Sequence, residues 1–205
     1  MSTNGTEIVI IWRKKIVYFE KIGPENTDKL LTLAKERADE LGISDLVVAT
    51  THGGTALKAL EVFASPRLNI VAVTITEGYK DKGWCITEQE RRRLEEKGIK
   101  VLTAPHTLGD GVGMAFADKY GGIPLEEVVR EAFYRFGQGM KVCVETVLMA
   151  AEAGMISMDG EVMAIAGTSS GADTCIVVKP AYSRTFFDLE IREIVAKPRR
   201  ISPEP

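Results

Sequence analysis

The sequence predicts a three-layer α/β/α sandwich with a mixed, mostly parallel sheet, and three observations predict it. Short apolar runs alternate with amphipathic helical stretches along most of the chain. The runs are nearly continuous in apolar residues, as in strands covered on both faces. The last two, residues 161–166 and 174–178, are joined by only about seven residues. A parallel crossover needs a dozen or more, so this pair is expected to be an antiparallel hairpin at a sheet edge.

The elements follow in order. Residues 16–19 form a short apolar strand. The turn containing Gly23 and Pro24 leads into a helix, with Asn26 or Thr27 as its N-cap, Leu30, Leu31, Ala34, Ala38 and Leu41 at helical spacing, and Gly42 as its stop. Residues 46–49 form a buried strand. After the polar loop 50–55, Leu57, Leu60 and Phe63 mark one helix face. Residues 69–74 form the next strand, residues 87–97 a charged surface helix ending at Gly98, and residues 100–103 a further strand. A glycine-rich loop, 105–113, precedes a helix over 124–136. Gly137 breaks that helix, and a mostly buried one follows over 141–153 before the closing strands. The 205 residues read as one domain, with an N-terminal extension (1–14) and a proline-rich tail (197–205) expected to be flexible.

Composition narrows the function classes. A formal net charge of −3 argues against a general nucleic-acid or membrane-surface binder. No apolar run approaches the roughly 20 residues of a membrane span, and the first residues lack the layout of a signal peptide, so a cytoplasmic protein is expected. Cys85, Cys143 and Cys175 form no CxxC pair and suit a reducing compartment. Asn and Gln are confined to positions 4, 26, 69, 89 and 138, while Lys, Glu and Arg are abundant, a bias associated with hyperthermophiles. Two distant histidines with no Cys/His/carboxylate cluster at ligand spacing make no metal site.

The most informative stretch is Thr50, Thr51, His52, Gly53, Gly54 and Thr55, between a buried strand and a helix. Such a loop presents backbone N–H groups and hydroxyls at the positive end of a helix, which suits a phosphate. The plainer reading is a turn whose residues are chosen for conformation. The loop lacks the Gly-Lys-Ser/Thr ending of a P-loop, and the glycines at 109, 111 and 113 lack the context of a dinucleotide site. Gly137, Gly139 and Lys141 open the helix that leads to the closing strands. Lys141 opposes the helix dipole there, so either it meets a bound anion or it is solvated. Gly167, Thr168 and Ser169 form a second hydroxyl-rich loop, read either as a ligand contact or as a polar turn. Asn26 and Thr27 reach the same edge, although capping alone accounts for them.

Residues 46–74 closely resemble the C-terminal domain of pyruvate kinase, in which an apolar strand enters a Thr/Ser/Gly loop, a helix and an Ile-Ala-Val-Thr-like strand. Residues 141–178 resemble that domain's closing elements in order. No kinase barrel accompanies them, so phosphotransfer is not implied. The whole chain is also similar to a small family of stand-alone archaeal proteins, through KIVYF and GPENT near its start, GMKVCVETVLMAAEAG, and GTSSGADT with FFDLEIREI near its end. That family is associated with bound flavin mononucleotide (FMN). The resemblance implies a core order 3-2-1-4-5 with the last strand antiparallel, counting from the strand at residue 46. Loops 50–55 and 167–173 would then border one crevice at a topological switch point. In pyruvate kinases the corresponding place holds a phosphorylated sugar effector. The strand at residues 16–19 lies outside this shared core and has no assigned neighbour.

Three readings of function follow. The first is a binding domain for a phosphorylated small molecule, FMN above others. The second is an enzyme, a flavin-dependent oxidoreductase or a sugar-phosphate lyase or isomerase, with His52, Lys141 and Glu145 as the residues to test. An i,i+4 ion pair is the simpler account of Lys141 and Glu145. The third is an allosteric or assembly module, with a homo-oligomer as a further expectation.

Overall fold

The computed structural model describes residues 15–201. In chain order the elements are β1 (Val17–Phe19), α1 (Thr27–Leu41), β2 (Asp45–Ala49), α2 (Gly54–Phe63), β3 (Asn69–Thr74), α3 (Glu88–Glu95) and β4 (Lys100–Thr103). They continue with α4 (Val112–Tyr120), α5 (Leu125–Tyr134), α6 (Gln138–Glu152), β5 (Val162–Ala166), β6 (Thr174–Lys179) and β7 (Glu190–Pro198). The strands form one seven-stranded sheet in the order β1-β7-β6-β5-β2-β3-β4.

Strands β2 to β5 are parallel, β6 runs against both β5 and β7, and β1 is parallel to β7. The segment β4-β3-β2-β5-β6 reproduces the expected core order, with its antiparallel member in the expected place. The pleat divides the core between two faces. Leu46, Val48, Met163 and Ile165 pack under α1 and α2 with Leu94 of α3. Val47, Val162, Ala164 and Ala166 pack under α6. Three layers result.

Four expectations are corrected. β6 is internal, because β7 pairs with its far side and β1 with β7, so the short N-terminal strand lies at the sheet edge. The tail begins later than residue 197, since Lys197 and Pro198 belong to β7 and the Arg199 N–H donates to the Phe19 carbonyl at 2.8 Å. The extension at residues 1–14 and the end of the tail at 202–205 lie outside the described residues. Residues 112–120 form a helix that the sequence did not suggest, because none of α4 is buried and its Val112, Phe116 and Tyr120 are exposed. Finally, Asn26 is the N-cap of α1 as expected, with Thr27 the first helical residue, but it makes no side-chain capping bond there. The Asn26 amide instead donates to the carbonyls of Lys21 (2.9 Å) and Gly23 (3.2 Å). The Gly42 stop is present, in the left-handed conformation at φ +68°.

Candidate functional site

β2 and β5 are neighbours, yet the chain leaves β2 through α2 on one face and enters β5 from α6 on the other. This is a switch point, and loops at the carboxyl ends of the strands diverge there to leave a crevice. Its inner lobe, of about 350 Å³, is lined by residues from the loops after β2, β3, β4 and β5 and from α6. An adjoining outer lobe, of about 680 Å³, shares Thr50, Thr51, Thr55 and Trp84 with it.

The first wall is the loop after β2. The Thr50 N–H continues the sheet by donating to the Val73 carbonyl at 3.0 Å, and the Thr50 hydroxyl accepts the Gly53 N–H at 3.1 Å. Gly53 takes φ +85°, and a Cβ there would stand 3.0 Å from Leu94 Cδ1. Glycine thus meets both a conformational and a packing demand. α2 starts at Gly54 with no side-chain cap, so its first N–H groups remain open at the positive end of the helix dipole. Among the described residues the Thr51 and Thr55 hydroxyls make no hydrogen bond, and both line the crevice.

The second wall is the loop after β5, built around the fully buried Asp173. Its carboxylate accepts the Thr168 N–H (3.2 Å), the Thr174 hydroxyl (2.8 Å) and the Gly23 N–H (3.4 Å). Thr27 fixes the same loop, its hydroxyl accepting the Ala172 N–H at 2.9 Å. Ser169, at φ +65°, and Ser170 reach the crevice.

The third wall is α6, which also starts without a side-chain cap. Lys141 Nζ lies 2.6 Å from Glu145 Oε2, and the pair is buried, at 8% and 3% side-chain exposure. Glu145 Oε1 accepts the Leu108 N–H at 2.9 Å. On the floor beyond, His106 Nδ1 lies 2.7 Å from Asp110 Oδ2, and the Tyr79 hydroxyl donates to Asp110 Oδ1 at 3.0 Å. That bond to Asp110, reinforced by burial, raises the Tyr79 pKa above its ordinary value, and burial raises that of Tyr134. Tyr79 stacks on Trp84 with ring centroids 5.6 Å apart, giving the mouth an aromatic surface.

The family model for the pyruvate kinase alpha/beta domain matches residues 28–178. The chain belongs to that family. The match begins within α1 and ends in β6, so β1 and β7 lie outside it. A crystal structure of a pyruvate kinase from Cryptosporidium parvum is similar at 15% identity and a TM-score of 0.39. The similarity covers 74% of this chain and 22% of that one, so the chain spans under a quarter of its length. Among the described residues no helix is long and apolar enough to cross a membrane.

Within this pyruvate kinase alpha/beta domain the expected site residues separate into two groups. Thr50, Thr51, Thr55, Lys141, Gly167 and Ser169 line the inner lobe, and His52 and Gly54 line the outer one. His52 stands at the rim, with Nδ1 3.2 Å from Glu90 Oε2 of α3. The solvated account of Lys141 fails, because the ammonium is buried in the i,i+4 pair with Glu145 that their spacing suggested. Asn26, Thr27, Gly53, Gly137, Gly139 and Thr168 do not line either lobe. Gly139 is small because a Cβ would fall 2.3 Å from Thr174 Oγ1, a helix–strand contact rather than a ligand contact.

The sequence missed Tyr79, Trp84, His106 and Tyr134 as lining residues, whereas Ser170 and Gly171 belong to the loop 167–173 that was expected to border the crevice. Gln138, also in the lining, lies between the selected Gly137 and Gly139. Tyr79 and Trp84 come from an irregular connection with no motif. The i,i+4 spacing of His106 and Asp110 was the one available signal for that pair.

Proposed function

We propose that this crevice binds a phosphorylated small molecule, and that FMN is its ligand. One observation carries the reading: two helices of 10 and 15 residues, α2 and α6, both begin uncapped at one switch-point crevice that also presents the unpaired Thr51 and Thr55 hydroxyls. A phosphate there would accept from the first turn of α2 and from the two hydroxyls, a set of charge-assisted bonds. The Trp84 ring, shared by both lobes and backed by Tyr79, suits a planar ring system. The inner lobe, at about 350 Å³, is of the size that small ligands occupy. A cytoplasmic, thermophilic archaeal source belongs to the same reading, on composition and resemblance.

The test is native purification followed by an absorbance spectrum and titration with FMN. The protein is expected to carry flavin bands or to acquire them. At 100-fold excess over Kd, FMN is expected to stabilise it by about 2.7 kcal/mol in thermal unfolding. Riboflavin, which lacks the phosphate, is expected to bind at least about tenfold more weakly. Absence of flavin in the purified protein, with no thermal response to FMN, would remove FMN. Equal affinity for riboflavin would remove the phosphate cradle.

A further inference from the structure

We propose that the inner end of the crevice is an acid–base catalytic centre that enolises a phosphorylated aldehyde or ketone, with His106 transferring the proton and Lys141 holding the carbonyl oxygen. The proposal rests on the reading that the crevice binds phosphate, and the enolisable compound occupies the cradle in place of FMN, not beside it.

His106 is the histidine prepared for proton transfer. Its Nδ1 lies 2.7 Å from Asp110 Oδ2, and its own backbone N–H donates to the same oxygen at 3.1 Å. Asp110 is held from its other side by the Tyr79 hydroxyl at 3.0 Å. A carboxylate on one ring nitrogen fixes the tautomer and leaves Nε2 as the acceptor, the form of a general base. The residue lines the inner lobe, whereas His52 is engaged at the rim by Glu90.

A dyad of this kind also staples a loop, so the neighbouring groups decide. The loop carrying His106 is tied to Glu145 by the Leu108 N–H at 2.9 Å, and Glu145 holds Lys141 Nζ at 2.6 Å. Among the described residues Glu145 is the hydrogen-bond partner of Nζ, so two of the three ammonium protons remain for a ligand. Lys141 and Glu145 both line the same lobe as His106. The ring of Tyr134 lies 5.9 Å from Nζ and helps exclude water from it. A buried ion pair is weak evidence of a stabilising role, and this one stands in the lining of the chamber with donors to spare. An oriented base and a desolvated ammonium in one chamber are the two groups that proton abstraction beside a carbonyl requires.

In the step itself, His106 Nε2 takes the proton from the carbon next to the carbonyl. The C–H electron pair becomes the carbon–carbon double bond, and the carbonyl π pair moves to oxygen, where the Lys141 ammonium donates a hydrogen bond. Return of the proton regenerates the substrate, with exchange against solvent. Where the neighbouring carbon carries a hydroxyl, delivery to the former carbonyl carbon, with the hydroxyl proton crossing between the two oxygens, gives the isomer. Nothing is oxidised or reduced overall.

The experiment follows deuterium incorporation from heavy water into dihydroxyacetone phosphate and ribulose 5-phosphate by proton NMR. Binding of each probe and of inorganic phosphate is measured alongside by calorimetry. Exchange of at least one probe is expected, reduced at least about 100-fold in His106→Gln. His106→Asn is the second variant should the first not fold. Asp110→Asn is expected to lower the rate while leaving KM for the probe unchanged, as befits a positioning residue. Bound probe without exchange would overturn the inference and leave phosphate binding standing. Failure of both probes and phosphate to bind would overturn both. Undiminished exchange in the His106 variants would remove His106 from the chemistry.

Discussion

At the scale of residues, the Lys141–Glu145 pair shows how local spacing and environment part company. Its i,i+4 spacing was legible, but spacing cannot report that both side chains are almost wholly buried. Burial changes the energetics, because breaking a buried pair strands a charge whereas breaking a surface pair costs little. Lys141→Met is therefore expected to destabilise the protein by about 3–5 kcal/mol in urea unfolding. The double change Lys141→Met with Glu145→Gln is expected to recover most of that loss, since an amide oxygen at 145 can still accept the Leu108 N–H. If the single and double variants were equally unstable, the stranded carboxylate would not be the cause. Gly139 teaches the same lesson from the other side. Its place in a glycine-containing helix start suggested a ligand, but the close approach to Thr174 comes from a strand 35 positions away.

At the scale of elements, legibility follows how much of each element's structure is decided locally. α3 is announced by Thr87 and Glu90 at capping-box spacing, and both reciprocal bonds are present. α4 has no buried residue and β7 follows an irregular connection, so neither leaves a clear periodic face. The α3 cap gives a prediction with a sign. Thr87→Ala is expected to cost about 1 kcal/mol in chemical unfolding. The Glu90 carboxyl is held below its ordinary value of 4.5, first by the Thr87 backbone N–H and then by the Thr87 hydroxyl and His52. A depressed folded-state pKa contributes stability that is present above 4.5 and lost as pH falls through the folded value. Glu90→Gln should accordingly flatten the acid limb of the stability profile. An acid limb as steep as in the unaltered protein would show that other carboxylates set it.

At the scale of the whole molecule, the antiparallel pairing of β5 with β6 was readable from their short connection, and the core order and switch point through the resemblance of residues 46–74 and 141–178 to a known domain. The far edge was not, since β1 and β7 meet across nearly the full chain and β1 has only 3 residues. Yet that edge completes the sheet. β7 covers the outer side of β6, whose residues from Thr174 to Val178 are buried, and supplies the partner of β1. It also carries Glu193, which grips the buried Arg37 guanidinium of α1 through two bonds, Nε to Oε2 at 2.6 Å and Nη2 to Oε1. Ending the chain after Asp188 would leave an apolar strand edge unpaired and bury Arg37 without Glu193. Because domain stability totals only about 5–15 kcal/mol, losses at three places are expected to exceed it. The shortened chain should show no cooperative thermal transition and should aggregate through β6. A sharp transition close to that of the full chain would instead make β7 an appendage to a sheet that is complete at β6.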